Sequence, residues 1–316
     1  MTRAPCPRLR PALILLALVL LAGCASPARV GSLIEVVGVT PPGILLVSRG
    51  GDLYAIENGK HRQYTSGGTW KQPRWTSDGS RLVYVYRAQN FSEIFVMNRD
   101  GSETARLTDS QSFILQDSDW ALSPTWSPDG QQIAYISDHA SYNPMLWIMA
   151  ADGSGKQQIV SNLDGLEAVE TPAWSPDGTT VLFTGFASGV SQIYRYNLET
   201  YELSTVTLTS GGAFDPAWSP DGRFIAYAAR EGGDTTIHLI RADGSGDVKI
   251  AQTKTSRAPA WAPDGQTLAF LSAASGHFEL FMLSIDLGAE PAQPSDERQI
   301  TNGLHADAES GLTWAP

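Results

Sequence analysis

Beyond residue 24 the chain has no cysteine. Its two, Cys6 and Cys24, both sit near the amino-terminal end. The rest of the chain therefore holds no disulfide, no thiolate zinc site and no sulfur nucleophile. Burial alone must hold its fold. Basic residues are also scarce, 22 Lys and Arg against 33 Asp and Glu, a formal charge of −11. A surface of that sign repels phosphate backbones, so nucleic acid is not an expected partner, and it favours basic or cationic ligands. Neither Gly-x-Ser-x-Gly nor His-Glu-x-x-His occurs, and the five histidines are scattered. That removes the serine-hydrolase elbow and the zincin helix. The longest apolar run, residues 12–22, falls short of the roughly 20 residues a membrane-spanning helix needs.

That run does read as a leader. Arg3, Arg8 and Arg10 precede it, and Leu21-Ala22-Gly23-Cys24 follows. Basic, apolar, small is the order of a secretory signal peptide. The tetrad resembles a lipobox. The resemblance implies cleavage before Cys24 and lipidation of its thiol. The expected organisation is a signal peptide over 1–23, a lipidated linker over 24–40 and a folded body over 41–316. Cleavage removes three arginines and no acid, leaving 19 basic and 33 acidic side chains, a formal −14. Acyl chains at about 0.8 kcal/mol per buried methylene would hold the chain on a membrane, on its extracytoplasmic side. Where a cell has an outer membrane, Ala25 after the cysteine points there rather than to inner-membrane retention.

The body is a repeat. Pro73-Arg-Trp75-Thr-Ser-Asp78-Gly79 recurs as Pro124-Thr-Trp126-Ser-Pro-Asp129-Gly130, and again over 172–178, 216–222 and 259–265. An apolar strand follows each copy, such as Ile133-Ala-Tyr-Ile136, then an aromatic strand such as Leu146-Trp147-Ile148. A turn, often Asp-Gly, and a last strand ending near Leu-Thr complete the unit. The motif tryptophans are 51, 48, 44 and 43 residues apart. Four short strands at this period predict propeller blades. Ser-Pro-Asp-Gly is a tight turn, proline presetting φ and glycine accepting a positive φ. Tryptophan supplies a plate to fill the wedge between blades. The motif is thus a folding signature, not a catalytic one.

The two ends share one unit. The chain stops at Leu312-Thr-Trp314-Ala-Pro316, a motif cut before its Asp-Gly, and residues 44–48, 53–56 and 62–65 read as the missing second, third and fourth strands. Five full units and this composite predict an all-β, six-bladed propeller of four-stranded blades, closed by the C-terminal strand. The repeat is similar to that of the TolB-like propellers over about residues 41–316. The family's separate N-terminal α/β domain has no counterpart in the sequence before residue 41. The resemblance implies recognition of a protein or other ligand at the ring mouth.

Strand order puts the tight turns at one mouth. The variable inter-blade loops and the loops between second and third strands fall at the other, which is the expected binding face. Nine tryptophans occur. Six belong to the motif and Trp147 to a third strand, which leaves Trp70 and Trp120 as candidate anchors. Lys71, Asp117, Asp119, Glu170, Asp215, Arg257 and Glu309 complete the candidate partner-binding set. The expected protein is a monomeric, non-catalytic envelope scaffold without cofactor, for a protein, peptide or glycan ligand. The second reading is a propeller hydrolase, a glycosidase or lactonase, with an acidic or metal-assisted channel site.

Overall fold

The computed structural model describes residues 34–38, 42–111, 119–139 and 142–316. The leader, Cys24, residues 113–115 and Asp117 lie outside the described residues. Six four-stranded antiparallel sheets form the body. Their first strands are Leu312–Ala315 in blade 1, Trp70–Trp75 in blade 2, Ala121–Trp126 in blade 3, Ala168–Trp174 in blade 4, Ala213–Trp218 in blade 5 and Ser256–Trp261 in blade 6. Each first strand neighbours those of the two adjacent blades, so the six line a closed ring around a channel.

Blade 1 is the expected composite. Ile44–Arg49 pairs Ile44 with Ala315 and Val47 with Leu312 on one side, and carries Asp52–Glu57 and Lys60–Gln63 beyond it. Part of the expected linker is also tied to the ring, because Glu35–Val36 pairs with Thr301–Asn302 and Ile34 is buried.

The core lies between blades. Val83 and Ile94 of blade 2 pack with Trp126, Ile133 and Trp147 of blade 3, and the same pattern joins blades 5 and 6. Apolar residues at nearly every position of the second strands follow from burial on both sheet faces. Two motif tryptophans also bond between blades: Trp126 Nε1 donates to Arg74 O and Trp261 Nε1 to Ala217 O, each at 3.2 Å.

The Ser-Pro-Asp-Gly turns close as small networks. Ser127 Oγ donates to Asp129 Oδ1 at 2.6 Å, as Thr76 does to Asp78 and Ser175 to Asp177. Hydrogen bonds from Thr76 and Ser80 stabilise the charged form and pull Asp78 down to about 2. The Leu-Thr signal has a job as well. Thr108 and Thr301 accept from the third-strand amides of Ile94 and Leu280 and donate to the buried carboxylates of Glu93 and Glu279. Those two glutamates are thus hydrogen-bonded fasteners for the inter-blade loops.

Candidate binding mouth

One device recurs six times around the channel. Gln72, Ser123, Thr171, Asp215, Ala258 and Gly311 occupy the same place, three residues before the motif tryptophan, and all have φ between 47° and 62°. In blades 2 to 6 the pairing register shifts at this point, which marks a β-bulge. A bulge re-aims the strand at a cost in backbone strain. Neighbouring blades bond three of these amides, those of Ser123, Asp215 and Ala258. Gln72 Oε1 accepts from Ser123 N at 2.8 Å, and Asp215 Oδ2 from Ala258 N at 3.1 Å.

Above this ring, on the side of the inter-blade loops, lies a cavity of about 440 Å3. Three cations and three anions line it: Arg74, Arg87, Arg257, Glu170, Asp215 and Glu309. Arg257 Nε lies 3.2 Å from Asp215 Oδ2. Arg87 Nη1 is hydrogen-bonded to Glu309 Oε2, with Lys71 Nζ 3.8 Å from the same oxygen. Among the described residues, neither Arg74 nor Glu170 has an opposite charge within 4 Å. Glu170 is open to the channel water but walled by the ring. That partial desolvation, with the negative charges of Asp215 and Glu309, raises its carboxyl above the ordinary range, while Arg257 opposes the rise.

Arg74 lies deepest. It lines this cavity and also the hollow at the opposite mouth, so it stands at the waist of the channel. The equivalent positions in the other blades are Thr125, Ala173, Ala217, Ala260 and Thr313. Its Nη1 donates to Pro73 O at 3.0 Å, and the guanidinium fills the space where a side chain on Gly311 would begin, 2.6 Å away. Burial pulls it down to about 10, against the charge of Asp215, so it stays cationic at neutral pH.

The structure thus brings Lys71, Glu170, Asp215, Arg257 and Glu309 to one mouth. Asp119 and Trp120 stand beside it. His139 Nδ1 is 2.5 Å from Asp119 Oδ2, and Trp120 N donates to Asp138 Oδ1 at 2.7 Å. The Arg87 guanidinium lies 5.3 Å from the centre of the Trp120 ring, which joins Trp120 to the charged rim. Trp70 is placed differently. Its ring meets Tyr84, Tyr86 and Phe95 edge-on at 5.2–5.8 Å, and its Nε1 donates to Ser66 O. Sequence reasoning missed Arg74 and Arg87. Arg74 was legible as the one long side chain in the variable slot of Pro-x-Trp, whereas Arg87, at the end of an apolar strand, carries no positional signal.

A profile described as the TolB beta propeller domain matches residues 141–312. The chain is 27% identical over 139 residues to the uncharacterized peptidase YuxL of Bacillus subtilis, covering 41% of this chain and 20% of that protein. It is 29% identical over 105 residues to the Tol-Pal system protein TolB of Alcanivorax borkumensis, covering 33% of this chain and 23% of that one. The chain therefore spans about a fifth of the length of these curated relatives. The crystal structure of TolB from Acinetobacter baumannii superposes with a TM-score of 0.68 at 18% identity, over 89% of this chain and 68% of that one. With more than half of the chain under the family profile and a ring of six matching blades, the protein belongs to the TolB β-propeller domain family.

Proposed function

We propose that this chain is a cell-envelope recognition module, lipid-anchored through Cys24, whose inter-blade-loop mouth docks a protein partner. The relatives named Tol-Pal system proteins support the protein-binding and envelope parts of that reading. The observation that carries it is the rim of opposed charges around the cavity, with Trp120 beside it. Aromatics framed by charged groups favour protein recognition, and interface hot spots concentrate in Trp and Arg.

Lys71, Asp119, Trp120, Glu170, Asp215, Arg257 and Glu309 form the docking rim in this reading. Trp70, half-buried, braces the aromatic cluster of blade 2. The test is crosslinking in the native envelope, with identification of what is captured. Trp120→Ala should weaken capture by about 2 kcal/mol, roughly thirtyfold, with the melting temperature nearly unchanged. Trp70→Ala should mainly lower the melting temperature. Capture that ignores Trp120, Lys71 and Glu170 alike would remove this mouth as the docking face. Reproducible hydrolysis of glycosides or lactones, abolished by Glu170→Gln, would replace the scaffold by an enzyme.

A further inference from the structure

Pairing off the charges of the mouth cavity leaves one of each sign. Arg257 holds Asp215 and Arg87 holds Glu309, while Arg74 and Glu170 stand without an opposite charge within 4 Å among the described residues. An uncompensated charge held among protein groups is costly, and that cost is recovered when a ligand supplies the counter-charge. Arg74 comes from blade 2 and lies against Gly311 of blade 1; Glu170 belongs to blade 4. Cation and anion are thus on separate walls, the cation deep and the anion nearer the mouth.

We infer that the channel receives the carboxylate end of a polypeptide, with Arg74 as the carboxylate receptor and Glu170 taking a backbone N–H or a cationic group behind it. This rests on reading the same mouth as a protein-docking face. A planar guanidinium matches a carboxylate with two parallel hydrogen bonds. The bulge ring makes room for the receptor itself, because Gly311 has no side chain where the guanidinium lies. The three carboxylates Glu170, Asp215 and Glu309 argue against an acidic polymer. A chain with a negative charge on every unit would meet repulsion above Arg74, whereas a peptide presents one terminal carboxylate and then amide donors. A free amino acid carries the same chemistry and is the competing source.

The test uses the purified chain and two pools of random hexapeptides with acetylated amino ends, one ending in free acids and the other in amides. Retention on immobilised protein is read by mass spectrometry, with free alanine, trigalacturonate and inorganic phosphate as competitors. The free-acid pool should be retained at least about tenfold over the amide pool, the loss expected when a charged hydrogen-bond partner is removed. Arg74→Met, which keeps an unbranched stem and removes the charge, should bring the acid pool down to the amide level, and Arg74→Lys should fall between. Arg74→Met should also keep or raise the melting temperature, since it removes an uncompensated cation. Glu170→Gln should weaken peptides with a basic residue near their carboxyl end and spare the others.

Equal retention of the two pools, retention of neither, or an Arg74→Met protein that still prefers acids overturns the inference. Displacement by free alanine at concentrations comparable to the peptides assigns the site to amino acids and overturns the polypeptide part. Displacement by trigalacturonate or phosphate alone does the same in favour of a simple anion. Partner capture that depends on Trp120 but not on Arg74 leaves the docking face standing while this inference fails.

Discussion

Glu170 carries a charge that the fold disfavours. Its carboxyl titrates above the ordinary range because partial burial and two neighbouring acids disfavour the anion. An acid shifted upward holds its proton more tightly in the folded state. Stability therefore falls as pH rises from the ordinary glutamate value through the folded one, and the deficit is complete above the folded value. Glu170→Gln should raise the melting temperature at pH 7 and make no difference near about pH 3, below the ordinary carboxyl value. A difference that is the same at both pH values would trace to packing instead of charge. That such groups converge was readable from the motif, since Glu170 lies a fixed two residues before Pro172, as Lys71 does before Pro73 and Arg257 before Pro259. Which of them would pair was not readable. Pairing depends on reach across the channel, and sequence position does not encode that.

The bulge explains another gap between pattern and structure. Pro-x-Trp reads as the start of an ordinary strand, yet the residue before the proline is left-handed in five blades and glycine in the sixth. Gln, Ser, Thr, Asp and Ala share no chemistry that announces such a conformation. At Ser123, Asp215 and Ala258 the neighbouring blade bonds the turned-out amide, a contact set by the assembled ring. Blade number, strand order and ring closure, by contrast, were all legible, because each rests on a repeat whose apolar positions have a single buried arrangement. Paired substitutions test the strain. Ala258→Gly relieves a left-handed alanine worth about 1–2 kcal/mol, offsetting the entropy that glycine brings. Unfolding in urea should therefore show little loss. Ala260→Gly, two residues on, has no such relief and should cost about 1 kcal/mol or more. Similar losses at the two sites would mean that the bulge is unstrained.

The ring as a whole is held shut by four residues. Leu312–Ala315 covers the edge of Ile44–Arg49, and Leu312 and Ala315 complete apolar clusters on either side of blade 1. A chain ending at Gly311 should lose its cooperative melting transition and self-associate, as seen by calorimetry and size-exclusion chromatography. A monomer that melted sharply would show that closure lies elsewhere. The same fastening also sets a schedule. Blade 1 is begun by Ile44–Arg49 and completed only by Leu312–Ala315, so the ring cannot close until residue 315 has been made. Until residue 315 is free, the strand at 44–49 waits with an open edge, and folding across that distance is slow. That delay is what a chain needs if it is to be threaded through a narrow pore before it folds, and a ring fastened between consecutive blades early in the sequence would forfeit it.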